Sequence, residues 1–247
     1  MNKFAHDSIV PLKNSSLSKK QQVADMFDSI AFRYDFLNRF LSVGIDVWWR
    51  KTAIKQLASL QPQTILDVAT GTADVALMTM EMLKPKKIIG IDISEGMLEI
   101  GRKKIAAKGL EDRIELQKGD SESINFDENT FDAISVAFGV RNYQNLSKGI
   151  EEMRRVLKPG GKLVILEFSK PKNVLFKVFY NLYMNIIAPG FGKMVAKNKD
   201  AYQYLNDSVQ AFPEGEAFLT IMKNSGLTKT YSRSLTLGIC TIYCGSK

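Results

Sequence analysis

The chain is poor in the residues that build metal centres and covalent cross-links. Its 247 residues include two cysteines, Cys240 and Cys244, and one histidine, His6. The two thiols stand in a predicted strand, about 13 Å apart at the rise of a strand, so they cannot form a disulfide with each other. Two thiols and one imidazole also make a structural zinc site improbable. We therefore expect no metal and a reducing, cytoplasmic environment.

Long apolar runs are absent as well. No stretch reaches the roughly 18 apolar residues that a membrane-spanning helix requires, and Met1 to Lys20 lacks the apolar core of a signal peptide. Lysine and arginine number 34 against 26 acidic residues, a formal charge of +8. Such a surface suits an anionic membrane, nucleic acid or an acidic substrate without choosing among them, and solubility alone explains it equally well.

One stretch, 64–74, predicts a buried strand that runs into a tight turn and then a helix. Thr64–Val68 is short and apolar, as in an inner strand of a parallel sheet. Gly71 in the turn can adopt a positive φ and let a ligand approach the backbone. A second apolar run ends at Asp92, where a carboxylate is placed to accept both hydroxyls of a ribose.

These elements predict a nucleoside site. Ala69 and Ala73 stand where a dinucleotide-binding turn could carry further glycines, so the Gly-x-Gly-x-x-Gly fingerprint is absent. Because a pyrophosphate needs that close backbone approach and a sulfonium nucleoside does not, the stretch favours S-adenosylmethionine over NAD. The alternative is an ordinary strand–turn–helix with a chance acidic residue.

The rest of the chain continues the α/β alternation. Five strands alternate with helices, and the last two strands are joined by a turn too short for a crossover helix, so they must pair antiparallel. This is the methyltransferase variant of the Rossmann plan: an α/β fold with a seven-stranded, mostly parallel sheet. The predicted strands are 64–68, 88–92, 113–118, 131–137, 162–168, 227–233 and 237–243.

Polar residues follow the third and fourth strands at the edge where ligands bind in such sheets. Asp120 and Ser121 follow strand three, and Asp120 could accept a hydrogen bond from an adenine amine or simply be a turn residue. Arg141 and Asn142 follow strand four and are placed to meet a substrate.

Two helical segments flank this core, and we expect one domain over 1–247 that includes both. In the first, about 18–60, Ser18 has the form of an N-cap, and a segment rich in aromatic residues could be a lid, with Tyr34 as one of its polar groups, or could cover a sheet edge. Asp46 could cap the next helix, in which Trp48 and Trp49 cannot share a face.

The second segment is an insertion at about 173–217. Its first part is apolar round most of a helix, so it is either buried or presented to a lipid-like substrate or membrane.

Three motifs resemble those of the ubiquinone/menaquinone biosynthesis C-methyltransferases, and the resemblance covers nearly the full chain. They are 34–42 with Trp49, Phe138–Asn142, and the long segment 155–169. The resemblance implies methyl transfer from S-adenosylmethionine to a ring carbon of a polyprenylated quinol. It also implies cofactor contacts at Thr72, Asp92, Asp120 and Ser121.

Two positions depart from the family pattern. Asp46 stands where the family usually has histidine, and Ala137 stands where some members have a serine that contacts the cofactor. The first departure weakens any functional role for position 46. Because of the second, Ala137 is not among the expected cofactor contacts.

A quinol ring carbon is nucleophilic only when a ring oxygen is at least partly deprotonated. We expect Arg141, with Asn142 and Tyr34, to bind and stabilise that oxygen. The alternative is that Arg141 pairs with a carboxylate and shapes the loop. No histidine or thiol is positioned by sequence as a base.

Menaquinone biosynthesis is the favoured pathway, with a benzoquinol of ubiquinone biosynthesis as an alternative. An RNA methyltransferase and a non-catalytic nucleoside-binding protein are further alternatives, although no RNA-binding module is evident, so no nucleic-acid partner is expected. Because the substrate tail lives in the bilayer, we expect peripheral contact with the inner face of the membrane. A homodimer is a further expectation.

Overall fold

The computed structural model describes residues 4–171 and 199–247, and its centre is a seven-stranded sheet in the order β3-β2-β1-β4-β5-β7-β6. Strands β1 to β5 are parallel, whereas β7 runs antiparallel to both β5 and β6. The predicted mostly parallel sheet with a terminal antiparallel hairpin is thereby confirmed. The strands are β1 Thr64–Val68, β2 Lys87–Asp92, β3 Ile114–Lys118, β4 Phe131–Ala137, β5 Leu157–Phe168, β6 Thr228–Leu235 and β7 Cys240–Ser246.

Helices cover both faces of this sheet, and two apolar clusters fill the space between the layers. The inner strands are buried almost throughout, which is why their sequences are continuous apolar runs. The helices are α1 Lys19–Leu41, α2 Ile45–Lys55, α3 Asp74–Leu83, α4 Glu95–Ala106, α5 Leu146–Val156, α6 Lys199–Ala211 and α7 Glu216–Asn224.

Three helices begin at side chains that accept hydrogen bonds from backbone N–H groups, and the predicted cap at Ser18 is one of them. Ser94 accepts from the third residue beyond it, as does Asn145 before α5. Ser18 accepts from Gln21 at 3.3 Å at the start of α1. Each cap satisfies an N–H group that the first turn of a helix leaves without a partner.

Other boundaries differ from the prediction. The sequence predicts that the helix begun at Ser18 ends at about Asp28; this end is wrong, because α1 is one continuous helix of 23 residues, and no glycine or proline interrupts this stretch. Asp46 does not cap α2: Gly44 is the N-cap, and Asp46 lies in the first turn. Strand β5 begins earlier than predicted, because Leu157 pairs with Phe131 across a bulge.

The tryptophans divide as predicted, since Trp49 is buried and Trp48 is half exposed. Cys240 and Cys244 are free, buried thiols in β7. None of the helices in the described ranges combines the length and apolarity that crossing a bilayer needs. The apolar helix predicted from Asn173 onward lies outside the described residues, while the end of the predicted insertion contains α6.

Candidate functional site

A cavity opens beyond the carboxyl ends of the parallel strands, with α1 lying across it, and the empty space within its outline, open solvent included, is about 670 Å³. This is where open α/β sheets bind ligands. Of the eight residues predicted for the site, Thr72 and Arg141 do not line the cavity. The other six do: Tyr34, Gly71, Asp92, Asp120, Ser121 and Asn142.

The loop after β1 holds a backbone conformation that is unfavourable for alanine. Ala69, Gly71 and Ala73 have φ angles of 54°, 56° and 65°, in the left-handed region that glycine adopts most readily. Ala69 and Ala73 thus adopt positive φ angles that glycine would adopt with less strain. Such strain costs about 1–3 kcal/mol per residue and is found most often at ligand sites, which indicates a preformed cradle.

Asp67 anchors this loop from inside the sheet and was missed by the sequence analysis. Its carboxylate accepts hydrogen bonds from the hydroxyls of Thr70 at 2.7 Å and Ser135 at 2.6 Å. Burial raises the pKa of Asp67 to about 6, although the two hydroxyl donors oppose the rise. A carboxyl group inside an otherwise apolar strand was the signal that could have identified it.

Asp92 is fixed at the tip of β2 by two backbone donors. The N–H groups of Gly71 and Ser94 donate to its two oxygens at 2.8 and 2.9 Å. Burial raises the pKa of Asp92 above its ordinary value, and these bonds counteract part of that rise. Each carboxylate oxygen has a second lone pair, so Asp92 can still accept from two hydroxyls of a ribose.

Beyond β3, Lys20 of α1 reaches the cavity wall. Its Nζ lies 2.6 Å from Asp120 and 2.9 Å from Glu122. Burial disfavours the charge of Lys20, yet its bonds to the two carboxylates leave its pKa raised. Asp120 also accepts from the backbone N–H of Glu122 at 2.8 Å, so it is a turn residue and a cavity residue at once.

Tyr143 adds a hydroxyl to the cavity that the sequence analysis did not predict. Its ring fits a notch left by Gly149, where an added Cβ would lie 2.5 Å from the ring. The hydroxyl is buried and lies near the Ser121 side chain, but it makes no hydrogen bond of standard geometry to the described residues. Burial also raises the pKa of Tyr143, which keeps the group protonated. A donor left open on a cavity wall fits a ligand acceptor.

The polar groups of the cavity suit an adenosine. Asp92 and Asp120 can accept hydrogen bonds from hydroxyl and amine groups, the loop around Gly71 allows a close approach, and Tyr143 offers a hydroxyl. They do not suit a pyrophosphate, because Lys20, the cation among the described residues that line the cavity, is already paired with carboxylates. These hydrogen-bonding groups therefore fit S-adenosylmethionine.

The turn after β4 forms an aromatic part of the wall. Phe138 has a φ of 60°, and its N–H donates to the carbonyl of Leu166 at 2.7 Å. Its ring stacks on Phe168 with the centroids 4.5 Å apart. The next residue must be glycine, because a Cβ on Gly139 would lie 2.6 Å from that of Ala69.

Arg141 lies behind this turn. Its Nη1 donates to Glu167 at 2.8 Å and to the carbonyl of Phe138 at 2.6 Å, and both charged side chains are almost fully buried. This is the arrangement that the alternative interpretation expects, in which Arg141 pairs with a carboxylate and shapes the loop. Direct contact between Arg141 and a substrate oxygen stays a prediction, and this geometry does not supply it.

Asn142 faces the cavity with its orientation fixed by a partner distant in sequence. The hydroxyl of Tyr204, in α6, donates to its Oδ1 at 3.1 Å. The amide Nδ2 is therefore the donor that remains, with only a long 3.5 Å contact to the carbonyl of Phe138. Tyr34 lines the same cavity and packs edge-on against Phe27, 5.8 Å between ring centroids.

Ionic and hydrogen-bonding contacts hold α1 over the cavity. Asp35 accepts from the Thr72 hydroxyl at 2.6 Å and pairs with Lys104 at 2.5 Å. Asp28 accepts from Ser94 and from the N–H of Gly96 at the start of α4. The Thr72 side chain thus faces α1, and its contact with a cofactor stays a prediction.

The two departures from the family pattern have clear settings. Asp46 is buried and lies 3.1 Å from Arg39 and 3.5 Å from Arg50, both of which also reach Asp74. It therefore belongs to an ion-pair network that joins α1, α2 and α3. Ala137 lines the cavity with a methyl group and no hydroxyl.

Residues 15–247 match the ubiE/COQ5 methyltransferase family. The chain belongs to this family. It is similar to a protein of Bacteroides fragilis named demethylmenaquinone methyltransferase, with 45% identity over 99% of each chain. It also resembles the ubiquinone/menaquinone biosynthesis C-methyltransferase UbiE of Geotalea daltonii, with 47% identity over 93% of this chain and 97% of the other.

Solved structures support the family fold. A SAM-dependent methyltransferase of Thermotoga maritima superimposes with a TM-score of 0.61 at 17% identity, over 91% of this chain and 99% of the other. A phosphoethanolamine N-methyltransferase of Haemonchus contortus in complex with S-adenosyl-L-methionine gives a TM-score of 0.65 at 15% identity, over 95% and 61%. At these identities the likeness concerns the fold alone.

The residues that sequence reasoning missed share one property. Lys20, Tyr143, Glu167 and Tyr204 all act through partners far away in the chain or inside the core. Glu167 had a weak signal, an acidic residue at the end of a buried strand. The other three had no signal in the sequence.

Proposed function

We propose that this family member transfers a methyl group from S-adenosylmethionine to a ring carbon of a polyprenylated demethylmenaquinol, as a step of menaquinone biosynthesis. The proposal is carried by the observation that a nucleoside-binding loop and an aromatic wall meet in one cavity, in a chain that matches the family over residues 15–247. Its relatives' names describe the same reaction.

On the cofactor side, Asp92 would hold the ribose and the loop around Gly71 would lie against the nucleoside. Asp120 and Ser121 would lie near the adenine, and the open hydroxyl of Tyr143 supports a further contact there. The bound cofactor supplies an activated methyl group on a positively charged sulfur.

On the quinol side, Asn142 is the best-supported donor to the ring oxygen. Its carbonyl is occupied by Tyr204, so its amide N–H groups are available to stabilise negative charge on that oxygen. Tyr34 and Phe138 would orient the ring, and much of the rate gain in such a displacement comes from alignment. We assign Arg141 as a positioning residue that holds the turn carrying Asn142.

The lid helix α1 would exclude water from the reaction. Val23, Phe27 and Tyr34 line the cavity from one face of this helix. We extend the same assignment to the whole chain: one methyltransferase domain with a helical lid at about 18–60 and an insertion at about 173–217.

The naphthoquinol ring is favoured over the benzoquinol of ubiquinone biosynthesis. The Bacteroides fragilis relative, which aligns over 99% of both chains, is named for demethylmenaquinone alone. We further propose peripheral contact with an anionic membrane, supported by the net charge of +8 and by the lipid-soluble tail of the substrate.

Two experiments test the reaction. Purified protein incubated with labelled S-adenosylmethionine and demethylmenaquinol should release S-adenosylhomocysteine and yield a product heavier by one methylene unit. Cells that lack the protein should accumulate demethylmenaquinone by mass spectrometry. An accumulated demethylated benzoquinone would shift the assignment to ubiquinone, and no turnover on either ring would refute it.

A further inference from the structure

The outer side of the lid carries large apolar side chains exposed to solvent. Phe32 is 93% exposed and Val43 is 85% exposed, and Phe36, Trp48 and Leu237 are each at least half exposed. We call these five residues the docking surface. Single exposed apolar side chains are ordinary, but a group of them on neighbouring elements marks an interaction site.

The docking surface is made of adjacent elements. Phe32 and Phe36 are one turn apart on α1, on the side opposite Phe27 and Tyr34, which line the cavity. The N–H of Gly44 bonds to the carbonyl of Arg39 at 2.8 Å and closes the turn from α1 into α2.

The turn that carries Leu237 packs against α2. The indole N–H of Trp49 donates to the hydroxyl of Thr236 at 2.7 Å, so the turn that carries the exposed Leu237 lies beside the helix that carries the exposed Trp48.

The backbone at Val43 supports a role outside the chain. Its φ is 52°, a left-handed conformation that is a genuine outlier for a β-branched residue. The strain holds a valine out in solvent, where it packs against little of its own protein. Strained conformations of this kind are found most often where a ligand or partner is met.

Charge points to the chemistry of the partner. Lys51 and Lys55 are exposed and lie on the same helical face as Trp48, three and seven residues further along α2. Between residues 31 and 60 the acidic side chains are Asp35 and Asp46, and both are held in ion pairs. Aromatic groups beside lysines, with no unpaired acid among them, complement an anionic lipid surface.

We propose that the docking surface lies on an anionic phospholipid bilayer, with the lid helix between the membrane and the cavity. The inference rests on the proposed function, because it gives a lipid-soluble quinol a short route to the site. Phe32, Phe36, Trp48 and Leu237 would enter the interface region, and Lys51 and Lys55 would contact lipid phosphates.

Co-sedimentation with vesicles of phosphatidylglycerol and phosphatidylethanolamine tests the proposal. F32S/F36S should bind at least tenfold more weakly because apolar burial is lost, and K51E/K55E should lose a similar factor and most of the salt dependence. Two variants are matched controls at other exposed sites, L12S/L17S for apolarity and K103E/K108E for charge. Both controls should bind nearly as the unchanged protein does.

A second measurement does not depend on any variant. Trp48 is exposed and Trp49 is buried, so a change in tryptophan emission on adding vesicles reports on the docking surface. Brominated lipids should quench this emission, and W48F should abolish the quenching while retaining the emission of Trp49. Absence of quenching by vesicles that sediment the protein would refute the proposed surface.

The oligomeric state and the turnover of F32S/F36S test the proposal further. If the unchanged protein is a dimer that F32S/F36S separates while vesicle binding persists, a second copy covers the surface and the proposal fails. Turnover of a short-tailed quinol dispersed in detergent should be equal in F32S/F36S and the unchanged protein. Failure of that turnover in both proteins would refute the proposed function, whereas vesicle binding would still test the docking surface.

Discussion

The cofactor side and the quinol side of the cavity are stabilised in different ways. Asp92 takes one of its two bonds from Ser94, two residues away, and Asp120 is bonded to Glu122 at the same spacing. On the quinol side, Asn142 depends on Tyr204, 62 positions away. Local turns therefore hold part of the nucleoside end, beside longer-range contacts from Gly71 to Asp92 and from Lys20 to Asp120, whereas the orientation of Asn142 at the quinol end depends on the packing of separate elements.

A change behind the quinol side should have the largest effect. Replacing Glu167 by Ala leaves the buried charge of Arg141 without its partner, and we expect the free energy of unfolding to fall by about 3–5 kcal/mol. Chemical denaturation measures this loss. R141A/E167A, which removes both charges, should be more stable than E167A, and a less stable double variant would contradict the coupling.

A titrating group on the cofactor side comes next. Because burial raises the pKa of Asp67 to about 6, the folded protein binds a proton more tightly than the unfolded chain. This group stabilises the fold fully below about pH 4, and its contribution is lost as the pH rises through about 6. Relative to the unchanged protein, D67N should therefore gain up to about 3 kcal/mol between pH 4 and 7.

Denaturation of both proteins across this range checks the sign. Groups that do not interact with Asp67 cancel in the difference, whereas Asp92 interacts with it through charge and contributes a smaller part of the change. A constant difference between pH 4 and 7 would show that Asp67 has an ordinary pKa.

The nucleoside end itself can be broken at Asp92. D92N turns one acceptor into a donor that faces a backbone N–H, so affinity for S-adenosylmethionine should fall about 30- to 100-fold, or about 2–3 kcal/mol. Isothermal titration calorimetry measures it, and circular dichroism should show an unchanged fold. E115Q, at an exposed carboxylate of β3, is the control and should bind normally.

The smallest change sharpens the contrast between the two sides. Y204F removes only the hydroxyl that orients Asn142, and we expect turnover to fall about fivefold, close to the value of one hydrogen bond. Cofactor affinity should not change. Equal losses in turnover and cofactor affinity would mean that the two sides are not independent.

The sequence alone determined where the strands lie along the chain and which residues form the nucleoside end of the site. Short apolar runs, a glycine turn and a carboxylate at a strand tip are local features, so β1, β2, Gly71 and Asp92 were predicted close to where they lie. The same reasoning found the antiparallel hairpin, because the length of a turn limits how its strands can pair.

Only the tertiary structure decided the environment of each group. Arg141 and Asn142 are neighbours in sequence, yet Arg141 pairs with Glu167 behind the cavity wall, whereas Asn142 lines the cavity. Whether a side chain meets a ligand or a buried partner depends on long-range contacts, which local patterns do not encode. For the same reason the sequence did not predict that Lys20 of α1 and the hydroxyl of Tyr143 lie at the cavity.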